Sequence, residues 1–204
     1  DAANYSFSGF TTATNNYTVN QLALTGTAIA PSSSVYASAL NPGAVSFGNI
    51  VPTDVVTSTA TVNTSTLSSS GKPIAGSYTQ TAGVIGGADA ANYSFAGFTS
   101  ASNYTISQLA LTGTAIGASS SVYGSALNLG AVSFGNISGA DAVTSTASIV
   151  SPLYSTSNKL KAGTYKQTAT TLGGADAANY SFSGFTTATN NYTVSQLALT
   201  GAAI

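Results

Sequence analysis

Apolar and polar residues alternate along many short stretches of this chain, and Gly, Asn, Pro or Ser bounds each stretch. Val45 and Phe47 share one face of such a stretch, and Tyr104 and Ile106 share one face of another. Within 56–62, small residues alternate with threonine hydroxyls. A period of two is typical of β-strands that bury one face, and no stretch keeps a helical period over three turns. The pattern predicts an all-β protein.

The alternation changes phase within the segment 104–111. Tyr104 and Ile106 occupy even positions, whereas Leu109 and Leu111 occupy odd ones. A shift by one residue moves side chains to the opposite face of a strand. We therefore interpret the segment as two adjacent strands, the last of one domain and the first of the next. A β-bulge within a single strand is the alternative interpretation.

The chain repeats itself with a period of 87 residues. Segment 1–29 returns at 89–116 with one Asn missing and five substitutions, and again at 176–204 with two substitutions. Repetition at a fixed period indicates an array of modules, and we expect this chain to be a piece of a longer one. The predicted boundaries lie near Asn20/Gln21 and Ser107/Gln108 with almost no linker, which indicates a stiff rod. The predicted organisation is the C-terminal part of a preceding repeat at 1–20, a complete β-sandwich repeat at 21–107, and a second repeat plus the first strand of the next at 108–204.

The length of the repeat favours one fold over another. About 87 residues with some seven short strands fit an Ig-like β-sandwich, so we predict tandem modules joined end to end. A β-helix or solenoid is the alternative. It requires sub-periods of roughly 20 residues, and none is evident within the repeat.

Composition excludes most catalytic chemistry. Only 4% of residues are charged, and His, Cys, Arg and Glu are absent. The usual general base, the thiolate nucleophile and the common zinc and copper ligands are therefore missing, and we predict no enzyme, no catalytic residue and no cofactor. The net charge of −1 gives no field that attracts nucleic acid. No run approaches the roughly 18 apolar residues of a spanning helix, so membrane insertion is not predicted.

The five aspartates occupy two repeat positions. Asp1, Asp89 and Asp176 precede Ala-Ala-Asn-Tyr, while Asp54 and Asp141 precede a Thr-rich stretch. Calcium needs six to eight oxygen ligands, so we predict no metal site, with Asp54, Asp89, Asp141 and Asp176 as the only calcium candidates. The favoured interpretation is a Gly turn in which Asp and Asn side chains bond the local backbone. An acid and base pair of a glycosidase is a formal alternative.

The two complete repeats differ most over 63–75 and 150–162. Because loops tolerate change and often carry recognition, Lys72, Tyr154, Lys159 and Lys161 form a candidate polysaccharide-contacting loop. Drift of a solvated connection is the favoured alternative. Asn63 and Asn136 are candidate glycan acceptors within Asn-x-Ser/Thr sequences, although many such matches are expected by chance in this composition.

Two motifs resemble a known family. SSVYGSALN at 120–128 is similar to the Val-Tyr-Gly-Asp-type opening of the MBG and YDG repeats of large bacterial exoproteins, which include filamentous-haemagglutinin-like adhesins. GGADAANYSF at 86–95, followed by NYTISQLALTGTAI at 103–116, resembles their closing strand running into the next module. Where the family often has Asp-Gly or Gly-Asp after the Tyr, this chain has Ala37-Ser38 and Gly124-Ser125. The resemblance implies Ig-like modules in the stalk of a secreted or surface-anchored adhesin, and no catalytic residues.

The sequence thus predicts a structural role outside the cell. The expected function is a repeat module of an extracellular adhesin or fibre that gives reach, cohesion or filament assembly. The expected partner is the chain itself, through neighbouring repeats, lateral bundling or strand exchange, since an uncharged surface lacks electrostatic repulsion and edge strands recruit partners. A polysaccharide-binding module that uses exposed Tyr and the Lys-bearing loop is the alternative.

Overall fold

The computed structural model describes residues 1–201, which form short β-strands connected by turns. The strands of the first repeat are β1 (Leu22–Ala23), β2 (Ala28–Ile29), β3 (Ser32–Val35), β4 (Val45–Ser46), β5 (Thr57–Val62), β6 (Gly76–Tyr78), β7 (Gln80–Gly86), β8 (Tyr93–Ser94), β9 (Phe98–Thr99) and β10 (Tyr104–Ser107). Those of the second are β11 (Leu109–Ala110), β12 (Ala115–Ile116), β13 (Ser119–Val122), β14 (Val132–Ser133), β15 (Ser148–Ile149), β16 (Gly163–Tyr165), β17 (Gln167–Ala169), β18 (Tyr180–Ser181), β19 (Phe185–Thr186) and β20 (Tyr192–Ser195).

Helical structure is almost absent from this described part. It consists of three 3-10 helices of three residues each, Ala2–Asn4, Ala90–Asn92 and Ala177–Asn179. Within residues 1–201, no helix has the length and apolar character needed to cross a bilayer. The all-β prediction is confirmed at this level.

The strands of the two repeats pair in the same way. In the first repeat, β10 lies between β3, to which it is parallel, and β6, to which it is antiparallel. Strands β5, β7 and β9 form a second, antiparallel sheet, while β1 pairs with β8 and β2 with β4. In the second repeat the corresponding sets are β13-β20-β16, β15-β17-β19, β11-β18 and β12-β14. Each of these pairs joins strands within 22–107 or within 109–195.

The change of phase in the alternation corresponds to a change of sheet. Strand β10 buries Tyr104 and Ile106 and pairs with β3 and β6, whereas β11 begins at Leu109 and pairs in parallel with β18. Only Gln108 separates the two strands, and its Nε2 donates a hydrogen bond to the carbonyl of Ala178 at 2.9 Å. The presence of two adjacent strands in different sheets is therefore confirmed, and the bulge alternative is wrong.

A fully buried glutamine ties the interior of each repeat together. Gln80 accepts a hydrogen bond from the Gly43 N–H at 2.7 Å and donates to the Ala30 carbonyl and to Asn103 Oδ1. Gln167 makes the same set of contacts in the second repeat, with Gly130, Gly117 and Asn191. A buried amide that satisfies its donors and its acceptor fixes the surrounding backbone.

The two described ends of the chain, 1–20 and 196–201, carry repeat sequence without the strands of a repeat. The aromatic residues of 1–20 are exposed, with Tyr5 at 83%, although the equivalent Tyr93 is 3% exposed. The predicted first strand of a third repeat does not form over 196–201, because β1 and β11 exist by pairing with β8 and β18 and no strand pairs with this segment. The rest of that predicted strand, 202–204, lies outside the described residues.

Candidate functional site: a polar joint between the repeats

A buried aspartate connects the two repeats. Asp141, in the second repeat, is 8% exposed. Its Oδ2 accepts hydrogen bonds from the hydroxyls of Tyr36 at 2.5 Å and Tyr180 at 2.6 Å, and its Oδ1 accepts one from the Ser70 N–H at 2.9 Å. Tyr36 and Ser70 belong to the first repeat. One carboxylate thus accepts hydrogen bonds from both repeats. We call this contact region between the two repeats the joint.

Local structure holds the two tyrosines against the carboxylate. Tyr36 directly follows β3, and its N–H donates to the carbonyl of Ser107 at the end of β10. Tyr180 opens β18, and its ring meets the Tyr36 ring edge to face with centroids 5.3 Å apart. This arrangement is favourable for aromatic pairs. Tyr36 is 1% exposed, so its hydroxyl contacts groups of the joint rather than solvent.

A short loop of the first repeat supplies the other donors. The loop 67–73 closes through a bridge between Leu67 and Pro73, and Gly71 turns it with φ of 72°, in the left-handed region that glycine tolerates. The tip presents Ser68 and Ser70, whose hydroxyls lie 2.6 and 3.4 Å from the Tyr36 hydroxyl. The Lys-bearing loop of the first repeat therefore faces the second repeat.

Two further contacts cross the joint beside Asp141. Asp176 Oδ1 accepts the Ser69 N–H at 3.1 Å, and its Oδ2 accepts the Ala142 N–H at 2.8 Å. Asn179 Oδ1 accepts the Ala75 N–H at 2.9 Å. The predicted bonding of these side chains to their own turn is wrong, because Asp176 makes no capping bond to the 3-10 helix that it precedes. Local backbone bonds suffice for the turn and leave the side chains free to reach other segments.

An apolar cluster surrounds the polar contacts. Its buried members come from both repeats: Tyr36, Tyr104, Ile106 and Tyr180. Leu109, Leu111, Ile137, Val143 and Leu172 of the second repeat pack against them. Burial of apolar surface and satisfaction of the buried carboxylate therefore occur at the same place, which makes the joint a continuous interior rather than a hinge.

The electrostatics of the joint favour a charged carboxylate and neutral phenols. Burial by itself raises the pKa of Asp141, but hydrogen bonds from Tyr180, Tyr36 and Ser70 outweigh it and lower the pKa to about 2. Burial, followed by the bond to Asp141, raises the pKa of both Tyr36 and Tyr180. Hydrogen bonds from the backbone at Ala142 and from Ser69 lower the pKa of Asp176. At neutral pH both tyrosines are donors and Asp141 is a charged acceptor.

Asp54 and Asp89 also accept hydrogen bonds, as Asp141 and Asp176 do. Asp54 and Asp89 occupy the corresponding positions at the other end of the first repeat, where Asp54 accepts from the Tyr93 hydroxyl and Asp89 from the Val55 N–H. Among residues 1–201, no group of three or more His, Cys, Asp or Glu side chains is placed to hold a metal ion.

The other residues that the sequence suggested as candidate sites lie apart from the joint. The exception is Lys72, which follows Gly71 in the loop 67–73. Tyr154, Lys159 and Lys161 lie in or beside the same loop of the second repeat, where the Tyr123 hydroxyl donates to Ser155. Asn63 donates from Nδ2 to the hydroxyls of Thr79 and Thr81. Asn136 bonds the backbone of Thr112 and Ala110 with its side-chain oxygen and nitrogen.

Sequence reasoning missed the joint, although one signal pointed to it. Within the most divergent stretch of the repeat, four residues stay unchanged between the copies: Ser68, Ser70, Lys72 and Ala75 return as Ser155, Ser157, Lys159 and Ala162. Three of the four take part in the joint. Identity within a divergent loop marks positions that contact something fixed.

Comparison of this chain with protein-family models, with curated proteins and with solved structures found no match. The joint is therefore the feature on which a functional assignment depends.

Proposed function

We propose that the chain is a structural part of a secreted or cell-surface adhesin or extracellular fibre, built from tandem Ig-like modules that the joint holds in a fixed orientation. The observation that carries this proposal is the burial of Asp141 between Tyr36 and Tyr180, with donors from both repeats on one carboxylate. A buried charge that loses a partner is strongly destabilising. Bending at the joint would strip Asp141 of two donors, so the geometry opposes bending.

The spread of the contacts supports stiffness as well. The bonds from Tyr36 and Ser70 to Asp141, from Ser69 to Asp176 and from Ala75 to Asn179 tie different segments of the first repeat to the second. Several separated bonds resist rotation about any single axis. Only one residue links β10 to β11, so the connection itself adds little freedom.

The surface and the resemblance to exoprotein repeats support the extracellular setting. With 4% charged residues, neighbouring rods experience little electrostatic repulsion, which favours cohesion between them. The contacts of the Lys-bearing loop support this structural role better than polysaccharide binding. In the first repeat, Ser68–Ser70 at the tip of the loop already bind groups of the joint.

Small-angle X-ray scattering on the 204-residue chain and on a chain lengthened by one 87-residue repeat tests the proposal. We expect a rod whose cross-section stays constant and whose maximum dimension grows by one fixed increment with the added repeat. Stability in such arrays sums over units and their interfaces, so each added joint behaves like the first. A scattering profile of modules in many relative orientations would contradict the proposal.

A further inference from the structure

The first repeat carries, at its outer end, the same side chains that the second repeat brings to the joint. Asp54, Asp89, Asn92 and Tyr93 correspond to Asp141, Asp176, Asn179 and Tyr180, and we call these four residues the acidic pole. Asp176 and Asn179 are 5% and 4% exposed in the joint, whereas Asp89 is half-buried and Asn92 is exposed. The acidic pole is thus one half of a joint without its other half.

The second repeat carries the complementary half at its own outer end. Tyr123, Ser155, Ser157 and Ala162 correspond to Tyr36, Ser68, Ser70 and Ala75, and we call them the tyrosine pole. Tyr123 is half-buried, whereas Tyr36 is 1% exposed. A groove of about 590 Å³ lies here, lined by Tyr123, Ser155, Lys161, Ala162, Gln196, Leu197 and Leu199. Its position corresponds to the space that Tyr180 and its neighbours fill in the joint.

The tyrosine hydroxyl of each pole already makes the contact within its own repeat that is seen in the joint. The Tyr93 hydroxyl donates to Asp54 at 2.7 Å, as Tyr180 does to Asp141 at 2.6 Å. The Tyr123 hydroxyl lies 2.8 Å from Ser155 Oγ, as the Tyr36 hydroxyl lies 2.6 Å from Ser68 Oγ. Preformed surfaces bind without the cost of ordering side chains.

The charges of the two poles are opposite. Asp54 and Asp89 lie at the acidic pole, whereas Lys159 and Lys161 lie in and beside the loop of the tyrosine pole. In a chain with nine charged side chains, this places two of each sign where the poles would meet. Such complementarity directs the encounter and its orientation.

We infer that the acidic pole of one copy of this chain docks into the tyrosine pole of a second copy and repeats the observed joint between molecules. The contact is heterologous, so it leaves one free pole at each end and generates linear filaments rather than closed dimers. The inference rests on the proposed function insofar as the joint is a stable interface. Within a longer array the inner poles are covered by neighbouring repeats, so docking belongs to the terminal ones.

The segment that precedes Asp54 differs from its counterpart at three successive positions, 51–53, and one of them affects docking. Pro52 stands where the second repeat has Gly139. Gly139 has φ of 49°, which proline cannot adopt, and a Cβ there would lie 3.0 Å from Cβ of Ser70. The segment at Pro52 therefore cannot follow the path of Gly139 against Ser157 of the second copy. We therefore expect the intermolecular joint to be weaker than the one within the chain, and Pro52→Gly to strengthen it.

A docked pair also contains duplicated strands. Residues 196–201 of the receiving copy have the same sequence as 21–26 of the incoming copy, and 1–19 of the incoming copy match 176–194 of the receiving one. Either version can complete the same strand pairing, since β1 and β11 make equivalent bonds to β8 and β18. Only one version can occupy that position, so docking requires the other version to leave it.

Sedimentation velocity of the full chain over a concentration series tests the inference. We expect the weight-average sedimentation coefficient to rise with concentration through head-to-tail oligomers. Asp54→Asn removes the charged acceptor, and Ser157→Glu places a carboxylate and extra bulk against Asp54 on an exposed position. Each substitution is expected to weaken association about tenfold or more, and Pro52→Gly to strengthen it.

Mixing the two weakened variants provides the sharpest control. The Asp54→Asn chain keeps an intact tyrosine pole, and the Ser157→Glu chain keeps an intact acidic pole. At concentrations where each variant alone stays monomeric, a 1:1 mixture is therefore expected to form dimers and nothing larger. Association that neither substitution reduces, or a mixture that stays monomeric while the wild type associates, would overturn the inference.

The same samples separate this inference from the proposed function. A wild-type chain that stays monomeric at all concentrations and scatters as a straight rod would refute the docking alone. A chain that scatters as two freely oriented modules would refute the rigid joint, and with it the basis of both proposals.

Discussion

Replacing Asp141 by alanine is expected to lower the free energy of unfolding by about 3 kcal/mol or more and to uncouple the two repeats. The change removes the acceptor for the hydroxyls of Tyr36 and Tyr180 and for the Ser70 N–H. These donors are buried or half-buried and would be left without their partner. Chemical denaturation followed by tyrosine fluorescence measures the loss.

Asp54→Ala is the matched control for that substitution. Asp54 accepts the Tyr93 hydroxyl as Asp141 accepts that of Tyr180, but no other repeat contributes a donor to it in this structure. The expected loss is about 1 kcal/mol. Equal losses for the two substitutions would mean that Asp141 acts only within its own repeat.

Acid titration gives an independent readout of the same carboxylate. Because the folded state holds the pKa of Asp141 at about 2, below that of an unfolded chain, the charged form stabilises the fold. This contribution is fully present above about pH 4 and is lost as pH falls through 2, and it amounts to about 1–2 kcal/mol. Asp141→Asn should flatten this part of the pH profile, while Asp54→Asn should leave it in place.

Replacing Gly43 by alanine is expected to unfold the first repeat, with a loss of more than about 3 kcal/mol. A Cβ at this position would lie 1.8 Å from the carbonyl oxygen of Ala30, which is backbone and cannot turn aside. The Gly43 N–H also binds the buried Gln80 at 2.7 Å, so relieving the clash would break the interior network. A Cβ on Gly130 would likewise lie 1.8 Å from the carbonyl oxygen of Gly117 in the second repeat.

Gly83→Ala is the control for the glycine prediction. Gly83 is exposed, a Cβ there would meet no atom within 4 Å, and the second repeat has Thr170 at this position. We expect a change of no more than about 1 kcal/mol, in the stabilising direction, because alanine loses less backbone freedom on folding. Similar losses at Gly43 and Gly83 would show that the Ala30 carbonyl is not the constraint. Urea unfolding monitored by circular dichroism compares the two variants.

Local patterns in the sequence were sufficient to predict β10 and its separation from β11. The alternation at Tyr104 and Ile106 appears as two buried positions in β10, and the change of phase before Leu109 separates two sheets. Both features follow from the two-residue period of a strand, which depends only on neighbouring residues. The Ig-like arrangement of the modules stays a proposal, as does the extracellular role.

The joint could not be predicted in the same way because its partners are distant in sequence. Tyr36 and Asp141 are 105 residues apart, and nothing in the neighbourhood of either residue indicates the other. Asp141 resembled a turn residue, since a solvated aspartate in a turn is common, but its burial arises from the packing of a second repeat. Gln80 was missed for a related reason: its polar side chain suggests a surface, and only the fold supplies its partners.

The central claim is that the joint makes the two repeats one rigid body, and a distance distribution between them tests it most directly. The chain has no native cysteine, so spin labels at Thr59→Cys and Thr146→Cys, two exposed and equivalent positions of the repeats, report only on the two repeats. Double electron–electron resonance should give one narrow distance distribution that broadens when Asp141→Ala is added. A broad distribution in the labelled chain that retains Asp141, unchanged by Asp141→Ala, would contradict the account.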